Sequence, residues 1–399
     1  MAAASSLTPP APSPPDGAPL GLYLHIPFCS AICNYCNFTR GLFDAALKAR
    51  YVEALIHEIR AGSRSVARQD GLPAPAVDTI YFGGGTPSLL EPADVERLIG
   101  ACVSVFRIAG EPEVTLEANP ESVSESRLAA YRQAGVNRIS FGVQSFRDEE
   151  LRRLSRLHDA SRARTAYLEA RQAGFDNISL DLMMWLPAQA IDAWLASVDA
   201  AIALAPDHLS LYLLEVYPNA PLKDEMARAR WSQAPDEDAA SMYLTAMDRL
   251  DAAGFEQYEI SNAARPNRRS RHNLKYWTDG EWLGFGCGAH STYDGRRWKN
   301  PTVIDEYLAA IEGGRSPAVD VRRLSLDERV GDALFMGLRL SDGVDLGQIR
   351  ARYGVDVWAR YGSDLKEFLD AGCLELGAGR LRLTRRGMLL ANEVMAVFV

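Results

Sequence analysis

The chain has 399 residues, 47% of them hydrophobic and 24% charged, an ordinary balance for a well-buried protein and more length than one domain usually needs. A net charge of −9 with no basic stripe argues against a nucleic-acid partner, and no uninterrupted apolar run reaches the length of a membrane span. One large domain plus a smaller one is the default expectation.

Residues 1–20, MAAASSLTPPAPSPPDGAPL, are rich in Ala, Pro and Ser and carry no Lys or Arg. A signal peptide needs a cationic start and an apolar core, and a transit peptide needs Arg, so the segment reads as a disordered tail of a cytoplasmic protein. The cysteines of such a protein are expected as reduced thiols.

From Gly21 to Ile260 short β-rich runs (GLYLHI, VDTIYF, EVTLE, NRISFGV, NISLDLMM, HLSLYLLEV, FEQYEI) alternate with amphipathic stretches such as DAALKARYVEALIHEIRAG and PADVERLIGACVSVF. QAGVNRIS, QAGFDNIS and AAGFEQYE echo one another: each places a helix, a glycine stop (Gly135, Gly174, Gly254) and a new strand in the same order. Repeated βα units predict a parallel sheet, either doubly wound or a barrel. Useful side chains at successive strand ends (His25, Gly83–Thr86, Glu117, Gln144, Asp181) favour a partial (β/α)6 TIM-type barrel with its site at the carboxyl ends, over residues 21–320. Residues 321–399 then read as a small helical module with a β-hairpin, of winged-helix type.

Three of the six cysteines fall within CSAICNYC, as Cys29, Cys33 and Cys36, in the loop after the first strand. A disulfide would leave one over, and zinc would need a fourth Cys or His at finger or ribbon spacing. Three thiolates on one loop suit three irons of a four-iron cube and leave the fourth iron open. A structural zinc site or a fortuitous cluster is the plain alternative. Cys102 lies in an apolar helical run and reads as core.

CxxxCxxC at this place resembles the radical S-adenosylmethionine superfamily. The resemblance implies a [4Fe-4S] cluster on Cys29, Cys33 and Cys36 whose open iron chelates S-adenosylmethionine for reductive cleavage to a 5′-deoxyadenosyl radical. YFGGGTPS lacks the lysine of a phosphate-binding loop, and in this superfamily that loop holds the methionine amino group. LYLHIPFCxxxCxxC, GGGTPS, LEANP, GVQSF, a DL-x4-P run and GFGCGAHS, in order from Tyr23 to Ser291, resemble the oxygen-independent coproporphyrinogen III oxidase-like (dehydrogenase) group. That kinship implies Tyr23 near the cofactor carboxylate and Gly84, Gly85 and Thr86 at its amino end. It implies Glu117 and Gln144 about the ribose, with Arg156 and Asp181 as further contacts; each could instead be an ordinary polar residue of the barrel mouth.

Two features depart from the dehydrogenase. Its motif continues to a fourth cysteine where this chain has Phe38, and its N-terminal segment is longer. RHNLKYW (271–277) is similar to the HNxxYW signature of the sister group of heme chaperones, which implies His272 as a heme ligand. The plain alternative is that His272 and Asn273 cap a loop while Tyr276 and Trp277 pack in the core. The family's Gly-Leu-Pro-Gly after the Asp181 strand is here Trp185-Leu186-Pro187-Ala188, so Trp185 is expected to fill space near the barrel mouth. The resemblance therefore implies a heme chaperone holding a [4Fe-4S] cluster, S-adenosylmethionine and heme. Its partners would be heme-acceptor proteins, membrane respiratory proteins among the candidates, and an electron donor. Radical decarboxylation of coproporphyrinogen III is the alternative, and a purely structural metal site the third reading.

Overall fold

The computed structural model describes residues 18–62 and 75–399. The predicted N-terminal tail lies outside the described residues as far as residue 17, and Leu20 is already buried as the first residue of a strand.

The chain runs β1 (Leu20–Ile26), two short strands β2 (Phe28–Cys29) and β3 (Gly41–Leu42) flanking the cysteine loop, then α1 (Ala45–Ala61). Next come β4 (Val77–Gly84), α2 (Pro92–Val105), β5 (Ile108–Ala118), α3 (Glu125–Gln133), β6 (Arg138–Gln144), α4 (Asp148–Arg153) and α5 (Ala160–Gln172). β7 (Ile178–Met184), α6 (Ile191–Ala203), β8 (His208–Leu213), α7 (Pro221–Ala229) and α8 (Asp236–Ala252) follow. Strands β1, β4, β5, β6, β7 and β8 are neighbours in that order and all parallel. Beyond α8 lie β9 (Glu256–Gln257), β10 (Asn262–Ala264), α9 (Arg271–Trp277), β11 (Trp282–Phe285), β12 (His290–Tyr293), β13 (Arg296–Lys299), α10 (Ile304–Glu312) and β14 (Val319–Arg323). β11 adds to β1 as a further parallel strand, and antiparallel strands extend the sheet at both edges. The twelve-stranded sheet is not closed by hydrogen bonds between its edge strands, so it is an open, partial barrel.

Local chemistry sets the element ends. Asp44, Ser124 and Asp159 cap α1, α3 and α5 by accepting from Leu47, Arg127 and Arg162 backbone N–H groups. Gly135 (φ 107°) and Gly174 (φ 89°) turn the chain from helix into β6 and β7, as the repeated pattern predicts. The third echo ends differently. Gly254 (φ 81°) stops α8, but FEQYEI gives only the two-residue β9, which pairs antiparallel with β10. Tyr258 and Glu259 instead turn inward, to His208 and Arg339.

The parallel strands alternate strictly. Leu22, Leu24, Ile80, Phe82, Leu116, Phe141, Leu180 and Leu209 are buried against the helices, each stabilised by roughly 2 kcal/mol of apolar transfer. The opposite face carries Tyr23, Tyr81, Glu117, Ser140, Asp181 and Ser210, aligned by the register Tyr23–Tyr81, Glu117–Ser140 and Asp181–Ser210. An apolar outer face and a polar inner face therefore follow from one period-two pattern.

After Arg323 the chain leaves this sheet. α11 (Leu326–Gly337, with a Ser325–Glu328 capping box), β15 (Val344–Asp345), α12 (Leu346–Tyr353), α13 (Val357–Asp370), β16 (Leu374–Gly377) and β17 (Arg380–Leu383) build three helices and a β15–β17–β16 sheet, in winged-helix order. Among the described residues no helix is long and apolar enough to cross a membrane.

Candidate cofactor site

The polar inner face opens at the carboxyl ends of β4–β8 into a pocket of about 450 Å³. Cys29, Cys33, Cys36, Gly84, Gly85, Thr86, Glu117, Gln144, Arg156 and Asp181 all line it. Of the residues predicted from sequence, Tyr23 and His272 do not, nor do His25 and Gly83 at the strand ends.

The cysteine loop is pinned at both ends. Phe28 and Cys29 pair with Gly41 and Leu42, and Phe43 N–H donates to Cys29 O at 2.9 Å. Asn34 donates to the Glu225 carboxylate of α7 at 2.6 Å and to Arg153 O at 2.8 Å, while Leu222 N–H donates back to Asn34 O. Arg40 donates to Phe38 O and Cys36 O. The cysteines are unpaired thiols, and burial raises those of Cys29 and Cys36, so they hold their protons until a metal displaces them. Among the described residues no three His, Cys, Asp or Glu side chains converge on a single ion. A cube that takes each thiolate on a different iron does not require such convergence. Phe38, 65% exposed, lines the mouth where the dehydrogenase pattern has its fourth cysteine.

The glycine loop closes on the cysteine loop. Thr86 N–H donates to Phe28 O at 2.7 Å, and a Cβ on Gly85 would stand 2.7 Å from Phe28 O and 3.0 Å from Cys29 Sγ. Any larger residue would push these segments apart. Glu117 receives Tyr81 O–H at 2.8 Å and Gly84 N–H at 3.1 Å; burial lifts its carboxyl to about 7 despite these donors. Burial also raises Asp181, which Ser140 holds with contacts at 3.1 and 3.2 Å. Arg156 donates to Cys33 Sγ at 3.6 Å, to Gly142 O at 2.7 Å and to Asn119 Oδ1 at 2.7 Å, while Asn119 donates to Thr86 Oγ1 at 3.1 Å. Asn119 thus ties the arginine of one loop to the threonine of another. Sequence reasoning passed over it although it lies inside LEANP. It also passed over Tyr35, Met183, Tyr212 and Leu213, pocket residues with no motif signal.

Two observations mark this pocket as a place for a ligand. Gln144 Oε1 and Arg156 Nε are buried without a partner. Gln144 also holds φ 67°, a left-handed conformation costly for a non-glycine residue.

Tyr23 lies below the pocket, stacked on Tyr81 with ring centroids 6.1 Å apart and its hydroxyl 3.1 Å from His25 Nδ1. His272 lies deeper. It is 1% exposed, its Nδ1 is 2.8 Å from Thr79 Oγ1, its Nε2 is 3.0 Å from Tyr276 O–H, and its ring stacks on Tyr81. Burial, then the Lys275 and Arg138 charges, lower its pKa to about 3. Both nitrogens are engaged in hydrogen bonds, and Trp277, the motif's last residue, lies beneath the Arg339 guanidinium.

Trp185 does not enter the pocket. Its indole N–H donates to Ala234 O at 2.8 Å, and Ala188 N–H donates to Ser232 O at 2.8 Å, so the turn fastens the 231–235 segment. Asp181 keeps its serine partner beside this substitution.

Residues 23–201 match the model of the radical SAM superfamily, and residues 324–390 match the HemN C-terminal domain. The chain is 35% identical to the heme chaperone HemW of Bacillus subtilis over 378 residues, covering 94% of this chain and 98% of that protein. It is 40% identical over 278 residues to the Escherichia coli heme chaperone HemW, covering 68% of this chain and 70% of that protein. It is 34% identical to the mitochondrial radical S-adenosyl methionine domain-containing protein 1 of Bos taurus, covering 96% and 87%. The structure resembles the coproporphyrinogen III oxidase HemN of Escherichia coli, a radical SAM enzyme, with a TM-score of 0.82 and 23% identity over 96% of this chain and 90% of that one.

Proposed function

The chain belongs to the heme chaperone HemW family within the radical S-adenosylmethionine superfamily, and from that premise we propose that it is a heme chaperone carrying a [4Fe-4S] cluster and S-adenosylmethionine. In this reading Cys29, Cys33 and Cys36 hold the cluster, and Gly84, Gly85 and Thr86 receive the methionine end. Glu117 and Gln144 take the ribose side, Arg156 and Asp181 complete the wall, and Tyr23 supports the floor through Tyr81. When bound, the cluster supplies one electron for cleavage of the sulfonium cofactor. The chain's own residues shape that space: Gly85 lets the two loops meet, Asn119 and Arg156 lock them together, and Phe38 presents an apolar edge without a further thiolate. The reading places heme transfer to acceptor proteins, with electrons from a separate donor, in a reducing compartment such as the cytoplasm.

The observation that carries this reading is the meeting of the three-thiol loop with the glycine loop, where Gly85 leaves no room for a Cβ beside Cys29 Sγ. Anaerobic reconstitution tests it. The wild type is expected to bind four irons per chain, to bind heme, and to leave coproporphyrinogen III unconverted, while Cys33→Ser loses the iron. Vinyl-group formation from coproporphyrinogen III would overturn the chaperone assignment in favour of the dehydrogenase, whose fold the chain shares.

A further inference from the structure

We propose that Asn119 is a positioning residue that aims the Arg156 guanidinium at the Cys33 sulfur, and that the pair raises the reduction potential of the cluster before any cofactor binds; this rests on the cluster reading above. Arg156 follows α4 and reaches across the pocket wall to a cysteine 123 positions earlier in the chain. Its Nη1 donates to Cys33 Sγ at 3.6 Å, and its Nη2 donates to Gly142 O and to Asn119 Oδ1 at 2.7 Å each.

The charge of this arginine is not committed to a carboxylate. Among the described residues Arg156 forms no ion pair, and Glu121, the carboxylate in its field, is held by His158 at 3.0 Å. Its acceptors are two neutral carbonyl oxygens and one sulfur. A guanidinium held by neutral acceptors keeps its full positive charge for the anionic group beside it.

Asn119 fixes where that charge points. Its Nδ2 donates to Thr86 Oγ1 at 3.1 Å, which leaves Oδ1 as the end facing the arginine. An arginine can only donate, so one orientation of the amide satisfies both neighbours. The backbone of Asn119 is fastened as well: its N–H donates to Ser88 Oγ at 3.3 Å, and Ser122 Oγ donates to its carbonyl at 2.7 Å. Asn in place of Asp matters here, because a carboxylate would hold the same bond yet neutralise the guanidinium. Reduction adds negative charge to a cluster already bound by three thiolates. A cation and an N–H···S bond at one of those sulfurs stabilise the reduced state more than the oxidised one, so the potential rises.

Redox titration of the anaerobically reconstituted protein without S-adenosylmethionine, read by the electron paramagnetic resonance signal of the reduced cluster, tests the pair. Arg156→Gln removes the charge and Asn119→Asp offsets it. Both midpoints should fall by about 59 mV, a tenfold change in a one-electron equilibrium, at wild-type iron content. Asn119→Ala keeps the charge but frees the side chain, so its midpoint should fall by less. Leaving the cofactor out separates this role from one toward S-adenosylmethionine alone. That role predicts an unchanged midpoint in all three variants, and such a result would overturn the proposal. A raised midpoint would do the same. So would loss of iron from a folded Asn119→Asp protein, because the pair would then build the cluster site rather than tune it. A wild type that binds no iron would overturn the cluster reading, and the proposal with it.

Discussion

Burial holds the Glu117 and Glu58 carboxyls at about 7, above an ordinary value of 4.5, and the consequences differ because one faces a ligand pocket and the other an interior knot. If ribose hydroxyls donate to the ionised form of Glu117, as proposed above, S-adenosylmethionine affinity should fall as pH drops below 7, by up to about tenfold per unit well below it. Glu117→Gln should be weaker and flat with pH; equilibrium dialysis between pH 6 and 8.5 reads both, and a wild type equally flat would remove Glu117 from the ribose contact. Glu58 reports on stability instead. The folded protein holds its proton more tightly than the unfolded chain does. Its contribution is therefore full below about pH 4.5 and lost as pH rises through about 7, a change of about 3 kcal/mol. Glu58→Gln should flatten the fall in urea midpoint across that window. The identities of these carboxylates were visible in the sequence, but their titration was not, because desolvation depends on what packs around them.

The turn after β7 is strained by its own residues. Trp185 (φ 63°) and Ala188 (φ 55°) occupy left-handed positions where the family pattern has glycine. The turn pays that cost in exchange for the indole bond to Ala234 O and the fastening of the 231–235 segment. The two positions separate experimentally. Ala188→Gly keeps every bond and relieves the conformation, so it should stabilise the protein by about 1 kcal/mol. Trp185→Gly relieves strain but releases Ala234, so it should gain less or lose. Urea denaturation measures both, and a destabilised Ala188→Gly would contradict the account. Sequence comparison by motif located this substitution and expected it at the barrel mouth. The actual direction of the indole depended on a carbonyl 49 residues away.

Across the whole molecule, α9 joins the inner face of the sheet to the C-terminal module. His272 reaches Thr79 on β4, while Trp277 lies under Arg339, whose guanidinium meets the fully buried Glu259 carboxylate at 3.1 Å. Removing the arginine leaves that carboxylate uncompensated, so Arg339→Ala should cost about 3 kcal/mol and make the junction after α11 a site of early proteolysis. A loss below about 1 kcal/mol would show that this pair does not secure the module. Asp279 pairs with Arg352 at 2.6 Å and accepts from Tyr353, and Arg385 reaches Asp248 and Asp251, so the same junction is braced by charge at three places.

The alternation of strands and helices, the glycine stops at 135 and 174, the three-thiol loop and the residues facing it could all be read along the chain, because each depends on local period or short spacing. FEQYEI misled for the same reason: its composition suits a strand, but whether a strand joins the parallel set depends on a neighbour already in place. His272 and Thr79 are 193 residues apart, and Asn34 and Glu225 are 191 apart. Only the folded sheet brings such pairs into hydrogen-bond range. The sequence by itself determined which chemistry the loops could hold; the tertiary structure decided which polar groups were already satisfied and which were left open to a ligand, because hydrogen bonding is settled by proximity in space.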